Sequence, residues 1–425
     1  MRRFLMLTIA MTVVIVGLYV IRDWVTQPVV APSSAVDPIE LDRRIEVFED
    51  RVETIDPDPL SLSVLGRLYL LRARTGYGVD DYLKAREVLT IAAKELDDAA
   101  TLTALAGSHL ALHEFTAARH AAQRSWETDP GDESLAVLAD AEMALGAYDE
   151  AAYHISVLAS RIPDEPSYLV RAAQFSFLTG DIDGALELSA RAARHSTGAS
   201  QSRADQGFYL MIAGRFRFET GDYRKAASLL EDALALDPRH PGVLFELGRV
   251  RAAQGDLEMA IDHLEQSVDL IPEPSTLSFL GDLYLAVGEK ELSDRQYATI
   301  EAIATLGQTA YRRPVVAAFA ARGLHPERTV ELARDELEER SDPTTWHVYA
   351  LALFRAGHLE EAHAAALNAI GPVDARLLYH VGLIAAANGL STEAQRHLEE
   401  ALRINPDFHP LEAELARELL EELGS

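Results

Sequence analysis

Arg215 and Arg249 are separated by nearly the same stretch of chain as Arg249 and Asp282, and Arg171 and Gln174 lie upstream. Phe177, Phe208, Met211, Phe218 and Phe245 are interleaved with them. A planar guanidinium grips a carboxylate through paired N–H groups, and aromatic side chains supply much of the apolar contact at binding surfaces. Such a set is suited to holding an extended, partly acidic chain without covalent chemistry. The same arginines can instead pair inside the protein with Glu219, Glu246 or Asp282, and residue types alone leave both readings open.

The other reactive side chains offer less. The 425 residues contain no Cys, which removes disulfides, thiolate metal sites and cysteine nucleophiles. No glycine-rich phosphate loop, Gly-x-Ser-x-Gly elbow or His-Glu-x-x-His motif occurs, so no enzyme, cofactor or metal is expected. His109 and His113 are four apart, a spacing that puts two rings on one helix face, but His113 falls where a turn is expected and is read as solvated. His358 and His363 straddle a turn, and His347, His380 and His397 read as scattered surface or partly buried rings. Glu331, Asp335, Glu336, Glu338 and Glu339 lack the spacing of a calcium loop and read as a solvated helix face, as does the run 418–422. A net charge of −28 repels a phosphate backbone, so nucleic acid is not an expected partner.

Positioning these groups falls to two kinds of element. Behind Arg2 and Arg3 lies an uncharged run that starts at Phe4 and stops at Ile21, enough helix to span roughly 27 Å, close to a bilayer core. Tyr19 and Trp24 mark its far end, and residues 1–24 are read as a transmembrane anchor. The competing reading is a cleaved signal, cut near Ala31 or Ala35. The arginine bias places the N-terminus in the cytoplasm and the remainder outside it. Residues 25–37, with Pro28, Pro32, Ser33 and Ser34, form an extended tether.

Beyond the tether the chain repeats. Gly146, Gly180, Gly221, Gly255, Gly288, Gly323, Gly357 and Gly389 recur at intervals of about 34 residues, with one wider gap between Gly180 and Gly221. Each follows roughly fourteen residues of helical period and is placed to take the left-handed conformation that ends a helix. Asp181, Asp222 and Asp256 come next, suited to cap a second helix. Small residues facing each other, Gly214 with Ala226, Gly248 with Ala260 and Gly382 with Ala394, permit close helix approach, and Pro130, Pro163, Pro238, Pro272 and Pro406 close each unit.

These features resemble tetratricopeptide repeats, helix pairs with small residues at positions 8 and 20 and proline at 32; the stretch from Pro241 to Pro272 matches positions 1, 4, 7, 8, 20 and 32. The resemblance implies an all-α, right-handed solenoid over residues 59–408, with units near 59, 99, 132, 166, 207, 241, 274, 309, 343 and 375. Departures are an insertion at 75–81, Val316 and Arg328 at the small positions of the 309 unit, and a linker at Gly371 and Pro372. Residues 38–58 and 409–425 read as capping helices, and 197–205, out of period, as a hinge. The resemblance also implies a concave groove lined by positions 2, 5, 9, 12 and 13. Position 9 reads Gly107, Asp140, Gln174, Arg215, Arg249, Asp282, Ala317, Leu351 and Leu383, which puts the arginine and aromatic set in the middle of the groove. The asparagines with which some family members clamp a C-terminal carboxylate are absent there. The expected function is a membrane-anchored scaffold for a protein or extended peptide, in envelope protein assembly or secretion. The alternatives are a binder of envelope polysaccharide through its aromatic rings and an enzyme with an unrecognised site.

Overall fold

The computed structural model describes residues 38–53, 56–76, 79–197, 202–306, 309–371 and 374–424. Every regular element among them is helical. A first helix, α1 (Pro38–Val52), precedes ten antiparallel pairs. They are α2 (Pro59–Gly76) with α3 (Val79–Glu95), α4 (Ala99–Ala111) with α5 (Phe115–Thr128), α6 (Asp132–Leu145) with α7 (Tyr148–Arg161), and α8 (Pro166–Leu178) with α9 (Ile182–His195). Then come α10 (Arg203–Glu219) with α11 (Tyr223–Leu236), α12 (Pro241–Ala253) with α13 (Leu257–Leu270), and α14 (Pro274–Ala286) with α15 (Lys290–Thr305). The series ends with α16 (Thr309–Arg322) and α17 (Pro326–Glu339), α18 (Pro343–Arg355) and α19 (Leu359–Ala366), α20 (Ala375–Ala387) and α21 (Ser391–Ile404), and a last helix α22 (Glu412–Gly424). The anchor and tether expected at residues 1–37 lie outside the described residues, as do residues 198–201 of the hinge expected at 197–205; Ser202 caps α10 and 203–205 form its first turn. No helix among the described residues is long and apolar enough to cross a membrane.

Local chemistry sets the helix ends. All eight periodic glycines have positive φ, from 71° to 88°, the region an L side chain rarely enters. Asp181, Asp222 and Asp256 accept the backbone N–H three residues on, at 3.0, 3.3 and 3.3 Å. His113 occupies the corresponding turn of the 99 unit with φ 59°, contributing a strained residue where the eight later units use glycine. Within a pair the small residues do what their spacing suggests. A Cβ on Gly214, Gly248 or Gly382 would meet Leu230, Leu264 or Leu398 at 2.7, 2.6 and 2.9 Å, and the carbonyl of Ala226, Ala260 or Ala394 at 3.3 Å.

The solenoid is wound tightly enough that successive superhelical turns touch. A Cβ on Gly146 would lie 3.3 Å from Ser341 and Asp342, one on Gly180 would lie 3.1 Å from the Gly371 carbonyl, and one on Gly221 would lie 3.3 Å from Ile404 and Pro406. The turn of one pair thus sits, three times running, against the C-terminal end of the fifth pair further on. Asn405, fully enclosed, donates to the Phe218 carbonyl at 2.8 Å across 187 residues and accepts the hydroxyl of Tyr223. The Arg340 guanidinium stacks 4.9 Å over the ring of Phe115. As a result the first helices of several pairs have no exposed face. Every residue from Ser134 to Ala144 on α6 is buried, and so is every residue from Thr276 to Tyr284 on α14. The second helices bury only a stripe, such as Ala151, Ile155 and Leu158 on α7.

Candidate functional site

The residues expected to line the groove lie on the first helices α8, α10, α12 and α14, and the coiling encloses most of them. Arg171 is 5% exposed and donates through Nε and Nη2 to Asp140 on α6, at 2.9 and 2.7 Å, and through Nη1 to the Ser167 carbonyl at 2.8 Å. Burial pushes the Asp140 carboxyl up to about 7, against the pull of Arg171. Phe177, Phe208, Met211 and Phe218 belong to one buried cluster with Leu169, Phe216 and Val243, and the rings of Phe177 and Phe216 are 5.2 Å apart. Asp282 is buried on α14, accepts the Tyr297 hydroxyl at 2.7 Å and lies 3.4 Å from Nε2 of His409. Gln174, Arg215, Phe245 and Arg249 are half-buried.

The two central arginines turn inward to carboxylates of their own chain. Arg249 reaches Glu219 on α10 and Glu246 on its own helix at 3.0 Å each, with its guanidinium 4.2 Å over the Phe218 ring. Arg215 Nε is 3.8 Å from Glu219 Oε1. Burial pushes the Arg215 guanidinium down to about 10, and burial pushes the Glu219 carboxyl up. Asp374 adds a third carboxylate to the field of these arginines. Two cations therefore face three anions of the same chain, and a partner's carboxylate entering here would meet charges already balanced or in deficit. An open cationic patch is not what the arrangement presents. Of the two readings left open by the residues, the geometry has the arginines paired with Asp140, Glu219 and Glu246. The sugar-stacking alternative loses its surface, since of the rings it needs only Phe245 retains appreciable exposure.

The histidines also differ from expectation. His113, read as solvated, is 8% exposed and stacks on Phe115 with ring centroids 5.3 Å apart, while His109 pairs through Nδ1 with Glu114. His347 and His380, read as scattered, share a hydrogen bond of 2.7 Å, with His380 buried and His347 half-buried. Their spacing of 33 residues, one repeat, was the available signal. Glu336, read as solvated, is buried and meets Arg340 at 2.8 Å. Among the described residues no group of three or more His, Asp or Glu is arranged to hold a metal. An outer cleft of about 320 Å³ opens between Arg119, His120, Gln123 and Arg124 of α5 and Glu142 of α6.

Tetratricopeptide repeats are matched over residues 213–273 and again over 375–408. BBS4, a BBSome complex member from Bos taurus, is 25% identical over 199 residues; the match takes in 44% of this chain and 37% of that relative's length. Among solved structures, PilW, a type IV pilus biogenesis factor, is 16% identical over 48% of this chain and 92% of its own, with a TM-score of 0.41. MamA is 18% identical over 40% of this chain and 96% of its own, with a TM-score of 0.33. Human IFIT1, solved as a dimer with PPP-AAAA, is 15% identical over 87% and 95%, with a TM-score of 0.43.

Proposed function

We propose that the protein is a scaffold held at a membrane by the apolar run from Phe4 to Ile21, with its helical repeats outside the cytoplasm carrying a protein or extended peptide partner in envelope protein assembly or secretion. The observation that carries this reading is the continuous series of helix pairs, two stretches of which match tetratricopeptide repeats, a fold used for protein interaction. The half-buried segment Gln174, Arg215, Phe245 and Arg249 is the part of the groove wall that keeps contact with solvent, and it is the partner surface of this reading. Arg171 is not part of it, since its guanidinium is spent on Asp140.

Photo-crosslinking in intact cells tests the assignment. A photoreactive residue at Gln174 or Phe245 should capture the same partner, whereas one at Tyr153, 64% exposed on α7, should not. Capture from Tyr153 and none from the two inner positions would move the partner to the outer surface of the second helices.

A further inference from the structure

The last three helices meet α14 and α18 at a largely buried cluster of ionisable groups that the partner reading does not use. His347 lies on α18, His380 and Arg376 on α20, Glu412 at the start of α22, His409 in the loop before it, and Asp282 on α14. The Glu412 carboxylate accepts Arg376 through both oxygens, at 2.9 Å from Nη2, and lies 3.3 Å from Nε2 of His380. His380 Nδ1 lies 2.7 Å from Nε2 of His347, with the rings stacked 5.0 Å apart. His409 Nδ1 accepts the backbone N–H groups of Leu411 and Glu412 at 3.4 Å each, which caps the first turn of α22, while its Nε2 edge faces Asp282. Phe279 of α14 packs edge-on against His409 at 5.3 Å.

These contacts dictate the proton positions. A carboxylate only accepts, so His380 presents Nε2–H to Glu412 and keeps a lone pair on Nδ1. His347 then donates its Nε2–H to that lone pair. Nδ1 of His409 accepts two N–H groups and therefore carries no proton. The His347 and His380 rings are thus neutral, and the surrounding charges are already matched: Arg376 and Arg355 against Glu412 and Asp282, with Tyr297 and Tyr379 beside them. A proton added to His380 Nδ1 removes the acceptor of His347, and one added to His409 Nδ1 turns a helix cap into a repelling donor.

We propose that this cluster is an acid-sensitive lock, neutral and closed near pH 7.5, whose protonation below about pH 6 releases α20 to α22 from α14 and α18 and opens the inner side of the superhelix. The inference rests on the hydrogen-bond pattern and the burial of these rings and does not require the partner assignment. Burial holds the His347 ring well below its usual range, with His380 and Arg376 adding to the effect, and burial lowers His380 although Glu412 opposes it. A ring whose folded pKa is depressed binds its proton only after opening. Its contribution is therefore complete above the unfolded value and is lost as pH falls through it. Between pH 7.5 and 5.5 each such ring raises the opening constant by up to about tenfold, and the two together by up to about a hundredfold. Asp140 and Glu219, raised by burial, act in the opposite sense. Asp140 lies on α6, away from the cluster, and Glu219 is unchanged in a variant of the histidines alone, so the difference between wild type and that variant isolates the rings.

Hydrogen exchange of the full chain at the two pH values, corrected for intrinsic rates, tests the lock. Peptides from α20 and α22 should open ten- to hundredfold more often at pH 5.5, while those from α8 and α9 change by less than threefold. In H347Q/H380Q, whose amides keep donors and acceptors but do not titrate, the acid step should vanish. Should that variant fail to fold, His347→Gln alone, which removes the more strongly depressed ring, should shrink the acid step of α20 by about tenfold. Equal exchange of α20 and α22 at both pH values in the wild type overturns the proposal, and so does an acid step that survives in the glutamine pair.

Discussion

Replacing Asn405 with alanine cuts the contact between superhelical turns at a residue with no solvent exposure. Its amide donates to the Phe218 carbonyl and accepts from Tyr223, 187 and 182 residues away. The Phe218 carbonyl keeps the N–H of Gly221, and the Tyr223 hydroxyl keeps the N–H of Asp407 as a donor, each at 2.9 Å. The Asp407 N–H, which Asn405 Oδ1 also accepts at 3.3 Å, keeps the Tyr223 hydroxyl, so no group is wholly stranded and the net loss is the two hydrogen bonds between turns at about 1 kcal/mol each, roughly 2 kcal/mol in all. Tyr223→Phe removes the shared bond from the other side, and a double-mutant cycle should return a coupling of about 1 kcal/mol. Urea unfolding gives the sum, and hydrogen exchange says where it falls. In an open solenoid each repeat touches only its neighbours, so damage at 405 would stay within α20 to α22. Contact between turns predicts that α10 and α11 also lose protection in Asn405→Ala, by about 30-fold if the full ~2 kcal/mol is felt there. Loss confined to residues 375–424 would refute the reasoning.

Other perturbations probe separate parts of the account. Arg171→Ala leaves Asp140 buried without its partner and should cost about 3–5 kcal/mol by urea unfolding. Because burial raises Asp140, the deficit should shrink between pH 8 and 5.5 as the carboxyl takes a proton, which the same titration at both pH values will show. Gly248→Ala should destabilise despite its gain of about 1 kcal/mol in helix propensity, since the new Cβ lies 2.6 Å from Leu264 and overpacking costs about 1–3 kcal/mol. Thermal melting beside Gly255→Ala, where a Cβ meets nothing within 4 Å and only backbone strain applies, separates the two effects. For the proposed topology, protease added to spheroplasts should digest the repeats; full protection would place them in the cytoplasm.

What could be read from the sequence was what is local. The turn glycines, the capping aspartates and the facing small residues act within one helix pair, and their chemistry is complete within a single repeat. Glu219 and Glu246 were nameable as partners of Arg249 because they sit on the same or the preceding unit. Asp140 was missed for Arg171, although both are inner residues of consecutive first helices, 31 residues apart. The contact of Gly180 with Gly371 was not legible at all, since superhelical closure accumulates from small rotations over many units and leaves no periodic mark. A compositional mark did exist. Helix α6 reads Leu-Ala-Val-Leu-Ala-Asp-Ala-Glu-Met-Ala-Leu, with apolar residues on every face, which an open groove does not tolerate and an enclosed helix requires.

Closure of the superhelix is the central claim, and the absence of native cysteine makes it directly measurable. A Cβ on Gly146 would lie 3.3 Å from the backbone of Ser341, within reach of a disulfide. In Gly146→Cys with Ser341→Cys, mild oxidation of the monomer should form an intramolecular bond that mass spectrometry finds between the two peptides, while Gly255→Cys with Ser341→Cys stays reduced. Free thiols at both positions of the first pair, under conditions where the chain is folded, would contradict the closed superhelix.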